Sequence, residues 1–199
     1  MRKVVAILSI LAILVLAVTG CDSPQKPPKE ETLQKATEKV ESLIGSENLS
    51  KVGSQIRWIH SKMNRLTGWE GIKAFVSQDD ETWRVFTDPE KGLAIQFRSN
   101  IESILPLVEE DEDLKTDLET FQRFIDIATE MKLDIALVYA HRIIHDLDYW
   151  VFNCKTVSEG SRDYWGATAT LEGKAGNPYY TWLEKEYYKN HENTRSGQK

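Results

Sequence analysis

The stretch Leu133–Phe152 most constrains the fold of this chain. Outside the first twenty residues it is the most apolar part of the sequence. Leu133, Ala136, Leu137, Ala140, Ile144, Leu147 and Val151 recur at helical steps and fall on one face. A helix with so apolar a stripe must bury it against other elements. The stretch is therefore predicted to be the central helix of the core, with the rest of the chain arranged around it.

The pattern of those other elements predicts helices and one small sheet. Leu33, Ala36, Val40, Leu43 and Ile44 keep helical spacing up to Gly45-Ser46. Ser46 is a plausible N-cap for a second helix, in which Leu49, Val52, Ile56, Ile59, Met63 and Leu66 form a heptad-like seam. That seam packs either on its own domain or on a partner. Residues 72–76, 82–87 and 93–98 read as strands. Leu93, Ile95 and Phe97 alternate with polar or small residues, Trp83 and Val85 share one face, and turn-rich gaps separate the three runs. Ile101 to Glu110 is predicted as a short helix that Pro106 disturbs. The acidic run Glu109-Glu110-Asp111-Glu112-Asp113 lies where carboxylates favour the positive end of the next helix dipole. It lacks the alternating ligands and central glycine of a calcium loop. Leu114, Leu118, Phe121, Ile125 and Ala128 line one face of that next helix. Lys155 to Gly176 is rich in glycine and small polar residues, with a short strand or loop expected at Tyr164–Leu171. Pro178 can open a last helix through Tyr188. The predicted fold class is α+β and mainly α-helical, with helices packed on a small antiparallel β meander.

The first twenty-one residues carry an address. Met1 to Lys3 is a basic head, Val4 to Val18 is apolar except for Ser9, and Val18-Thr19-Gly20 runs into Cys21. The apolar core is shorter than the roughly 20 residues that span a bilayer. Head, core and small-residue cleavage site together read as a secretory signal. With a cysteine at the cut, the segment resembles a bacterial lipoprotein signal. That resemblance implies a mature chain beginning at a lipid-modified Cys21 and a location on the extracytoplasmic face of the cell membrane. The organisation expected is a signal peptide at 1–20, a lipidated cysteine and proline-rich tether at 21–31, one mainly helical domain at 32–190 and a frayed polar tail at 191–199. Removing residues 1–20 takes Lys+Arg from 25 to 23 against 31 Asp+Glu, so the net charge moves from −6 to −8. So acidic a chain argues against nucleic acid as partner and against a polybasic dock on lipid. With Cys21 acylated, Cys154 has no partner within the chain and reads as a buried small hydrophobe.

One constellation stands out chemically. Asp134, His141, His145 and Asp148 lie within about 60° of one another on the central helix, at 100° per residue. His141, His145 and Asp148 are the residue types that bind zinc, at a His-x3-His-x2-Asp spacing. The pair resembles the histidines of a metalloprotease helix, but the glutamate that follows the first histidine in that family is Arg142 here, so the general base is missing. The same stripe also reads as a polar seam hydrogen-bonded to neighbours. His60 could join it only if the two helices pack together. Six tryptophans form the second feature. Tyr164, Trp165 and Trp182 sit in the late glycine-rich region and suit a binding surface or the edge of the core. No nucleophile elbow or phosphate-binding loop is present. The expectation is a membrane-anchored extracytoplasmic lipoprotein that binds or scaffolds at the cell envelope without catalysis. It would hold no cofactor and meet an envelope protein partner. The alternative is metal binding, of zinc, by the histidine stripe.

Overall fold

A 38-residue helix, α1 (Glu30–Thr67), opens the described part of the chain, and a break at Gly45 divides it. The computed structural model describes residues 24–76, 80–153 and 163–172. Gly45 has φ 79° and ψ 154°, backbone angles that a Cβ disfavours. No atom lies within 4 Å of where a Cβ would point, so backbone conformation selects glycine here and space does not. The interruption falls where the sequence pattern placed it. The first limb buries Ala36, Val40 and Ile44; the second buries Val52, Ile56, Ile59, His60 and Met63. The heptad-like seam of the second limb thus packs into the protein's own core.

Helices α2 (Trp69–Val76), α3 (Asp80–Phe86) and α4 (Leu93–Ile104) follow. They occupy the three segments predicted as strands, and the expected meander is absent: the described residues contain no sheet, only one isolated bridge. Burial explains the correction. Trp83 is 1% exposed and Val85 59%, so two residues predicted to share a face point opposite ways. Trp83 instead shares its buried face with Phe86, three residues on, and both meet Phe75 edge to face at 4.8 and 5.6 Å. In α4 the inward residues are Phe97, Ile101 and Ile104, while Ile95 faces out. Over six residues, a few apolar positions fit periods of 2 and of 3.6 equally well.

Pro106 ends α4 in a single 3₁₀ turn, Leu105–Leu107. Asp111 then caps α5 (Glu112–Met131), its carboxylate accepting from Leu114 N–H at 3.2 Å. The acidic run therefore begins a helix, as its composition suggested. Helix α6 (Asp134–Asp146) and a π-helical turn (Leu147–Phe152) form the predicted central element. Its face of Ala136, Leu137, Ala140, Ile144, Leu147 and Val151 is buried. Helix α6 packs chiefly on α5 and on the second limb of α1. A short helix, α7 (Ala169–Glu172), lies on α5. Within the segment read as a tether, Gln25 N–H donates to Tyr164 O in an antiparallel bridge, so the chain touches the domain before α1 begins. Cys21, Cys154, Trp182 and the expected helix from Pro178 lie outside the described residues. Among the described residues no helix is long and apolar enough to cross a membrane.

Candidate functional site

Packing of α1 on α6 brings three histidines together. His60 comes from the second limb of α1, His141 and His145 from α6. Their ring centroids are 5.3 Å (His60–His141), 5.1 Å (His60–His145) and 6.0 Å (His141–His145) apart. Tyr149, in the π-helical turn, closes the group at 4.8 Å from His60 and 4.6 Å from His145. The sequence could not pair α1 with α6. Sequence spacing shows which residues share a helix face, but gives no information on which faces meet.

Asp148 is where the stripe read from the sequence departs most from the structure. It does not join His141 and His145 as a third ligand. It is buried, and it accepts from His60 Nδ1–H at 2.7 Å and from Asn153 Nδ2–H at 2.5 Å. Arg57 Nε stands 3.9 Å away. The π-helical turn carries Asp148, and Asn153 N–H closes it on the Asp148 carbonyl at 2.8 Å. Single π turns inside helices recur at functional sites. Once Asp148 has fixed Nδ1, the lone pair of a neutral His60 ring lies on Nε2. That atom is buried and has no hydrogen-bond partner among the described residues.

His141 is engaged on both sides. Its Nε2–H donates to Asn64 Oδ1 at 2.9 Å, and Thr67 Oγ1 stands 2.7 Å from Nδ1. Burial first, then the neighbouring His60, His145 and Arg142, lower its pKa to about 3. The ring is therefore neutral with a single N–H, directed at Asn64, while the Thr67 hydroxyl beside Nδ1 donates to the Met63 carbonyl at 2.9 Å. His145 Nδ1 lies 3.4 Å from Asp146 Oδ1. As the side chains stand, no group of three or more among the described residues is placed to hold a metal ion. Asp134 is partly buried at the start of α6, two turns from His141.

Two buried aspartates that sequence reasoning missed hold the strap at residues 163–172. Asp146 accepts from Trp165 N–H at 3.1 Å and Ala167 N–H at 2.9 Å. Burial pushes its carboxyl pKa up, against the hydrogen bonds from His145, Ala167 and Trp165 that hold it down. Asp117 on α5 accepts from Ala169 N–H, Thr170 N–H and the Thr170 hydroxyl, at 2.6, 2.9 and 2.6 Å. For Asp117 a signal was present. It stands three residues after Leu114 and four before Phe121, on the apolar face of α5, where a carboxylate needs partners.

The aromatic region divides. Tyr164 is buried beneath Trp150, with ring centroids 5.8 Å apart. Trp165 is half-buried; the Arg142 guanidinium lies 4.3 Å from its ring centre, and His145 packs on it at 6.4 Å.

No protein-family model, curated protein or solved structure matches this chain. Function is therefore argued from the site. An imidazole backed by a carboxylate at Nδ1 and bare at Nε2 can act as a base or as a metal ligand. Among the described residues no hydroxyl is hydrogen-bonded to His60 Nε2.

Proposed function

We propose that the protein is a lipid-anchored extracytoplasmic binding protein of the cell envelope. Its binding site is the histidine cluster between α1 and α6, and its ligand is a transition-metal ion such as zinc. The observation that carries this reading is His60, whose Nδ1 is fixed by Asp148 while its buried Nε2 has no partner among the described residues. A buried polar atom left unpaired costs roughly 1–3 kcal/mol, which a ligand on that atom would offset. Neutral imidazole is the form that binds metal, and His141 stays neutral at all but strongly acid pH. Asp148 then takes an outer-shell role, orienting His60 and strengthening it as a donor. His60, His141 and His145 become the ligand set, and His141 must turn away from Asn64 and Thr67 to complete it. The anchoring half of the proposal rests on the basic head, apolar core and small residues that precede Cys21.

Zinc titration of the purified full chain by calorimetry tests the site. One ion per chain is expected, with binding lost in His60→Gln and weakened about 10–100-fold in Asp148→Asn. Wild-type protein that takes up zinc no better than His60→Gln would overturn the metal reading. Mass spectrometry of the membrane-extracted protein tests the anchor: acyl chains on Cys21 are expected, and an intact Met1 terminus would remove it.

A further inference from the structure

A lipid on Cys21 can hold the domain at no more than a short distance from the bilayer, because the chain is fastened to the domain again at Gln25. The Gln25 N–H donates to Tyr164 O, and Tyr164 is buried beneath Trp150. Gly166 lies so near that a Cβ on it would come within 2.7 Å of Gln25 Oε1, and its φ of 62° suits glycine. The next residues of the strap are held by the Asp146 carboxylate. Gln25 is thus tied to the core through a segment that is itself pinned. It stands four Cα-to-Cα steps from Cys21, and fully extended residues span at most about 3.6 Å each, so the reach is about 14 Å. The headgroup layer takes up about half of that reach, since it adds roughly 5–7 Å to each side of the hydrocarbon core.

The face beside that fastening point has the chemistry of a membrane interface. Trp165 follows the bridged Tyr164 and is half-buried, with the Arg142 guanidinium 4.3 Å from its ring centre. Tryptophan is enriched at headgroup depth, where its apolar ring and polar N–H are both accommodated. We propose that the face formed by Gln25 and Trp165 lies against the phospholipid headgroups of the membrane that carries the Cys21 lipid. This rests on the reading of Cys21 as acylated. It orients the domain: the side on which Trp165 packs against His145 is turned to the membrane, and the histidine cluster sits just behind that interface.

Tryptophan quenching by brominated phosphatidylcholine tests this, with the acylated full-length protein reconstituted in vesicles. Wild-type fluorescence should be quenched, and Trp165→Phe should lose at least half of that quenching. Inserting ten Gly/Ser residues between Asp22 and Ser23 should reduce it severalfold with every tryptophan retained. Acylated protein whose quenching is unchanged by both alterations would overturn the orientation while leaving the anchor intact. Absence of acyl chains from Cys21 by mass spectrometry would defeat the anchor, and the orientation with it.

Discussion

Two buried polar regions flank α6, and they are finished differently. At the strap, each aspartate oxygen that faces residues 165–170 meets a donor, and Asp117 alone takes three hydrogen bonds. At the histidine cluster, one carboxylate is satisfied and the imidazole it orients is left with a bare nitrogen. A satisfied buried carboxylate fixes one chain path. A half-satisfied cluster costs stability, and that cost is retained where something else makes use of it. The comparison separates a structural clamp from a binding site by their hydrogen bonds, although both are built of acidic or imidazole side chains on neighbouring helices.

The largest effect is expected at the clamp. Asp117→Ala leaves two backbone N–H groups and one hydroxyl without their acceptor in a buried place. Urea unfolding should show a loss of about 3–5 kcal/mol, with zinc affinity of the remaining folded protein unchanged. A loss under about 1 kcal/mol would mean the strap is not held by this carboxylate, and the contrast between the regions would fail.

Acid sharpens the contrast next. His141 has a folded pKa of about 3 against about 6.5 when unfolded, so between those values the unfolded chain binds the extra proton. Stability from this group is fully present above about pH 6.5 and falls as pH drops, by at most about 1.4 kcal/mol per unit, levelling near pH 3. Asp146 works in the opposite sense, since its raised pKa makes the folded state the better proton acceptor above the ordinary carboxylate range. Stability measured against pH for wild type and His141→Gln isolates the histidine: the difference curve should slope between pH 6.5 and 4. Parallel curves would place a charged, solvated His141 outside the cluster.

How much of this was legible in the sequence depends on which interactions are local. The long apolar face from Ala136 to Val151, the interruption at Gly45 and the acidic start of α5 were all readable, because each depends on spacing within one segment. The segments around Trp83 and Phe97 were misread, because six residues are too few to separate a helical from a strand period. The same limit hid the strap: the bond from Ala169 N–H to Asp117 joins residues 52 apart. The histidine stripe was half legible. His141 and His145 belong to one helix face, whereas His60 arrives only through packing of α1 on α6. Asp148, read on one stripe with His141 and His145, is hydrogen-bonded to His60 of α1, a partner that spacing along a single helix does not reveal.

The smallest effect is expected where the cluster is replaced as a unit. Removing His60 alone would leave the buried Asp148 carboxylate with Asn153 and a distant Arg57, so a single substitution confuses the value of the pair with the cost of an abandoned charge. Exchanging both partners for apolar residues, His60→Leu with Asp148→Leu, removes the carboxylate, the orphaned nitrogen and their desolvation together. Buried polar pairs replaced in this way are often neutral or stabilising. The double variant should unfold within about 1 kcal/mol of wild type and take up no zinc. If it instead loses as much stability as Asp117→Ala, the cluster is a second clamp, and the distinction between a region that holds the fold and one that serves a ligand is gone.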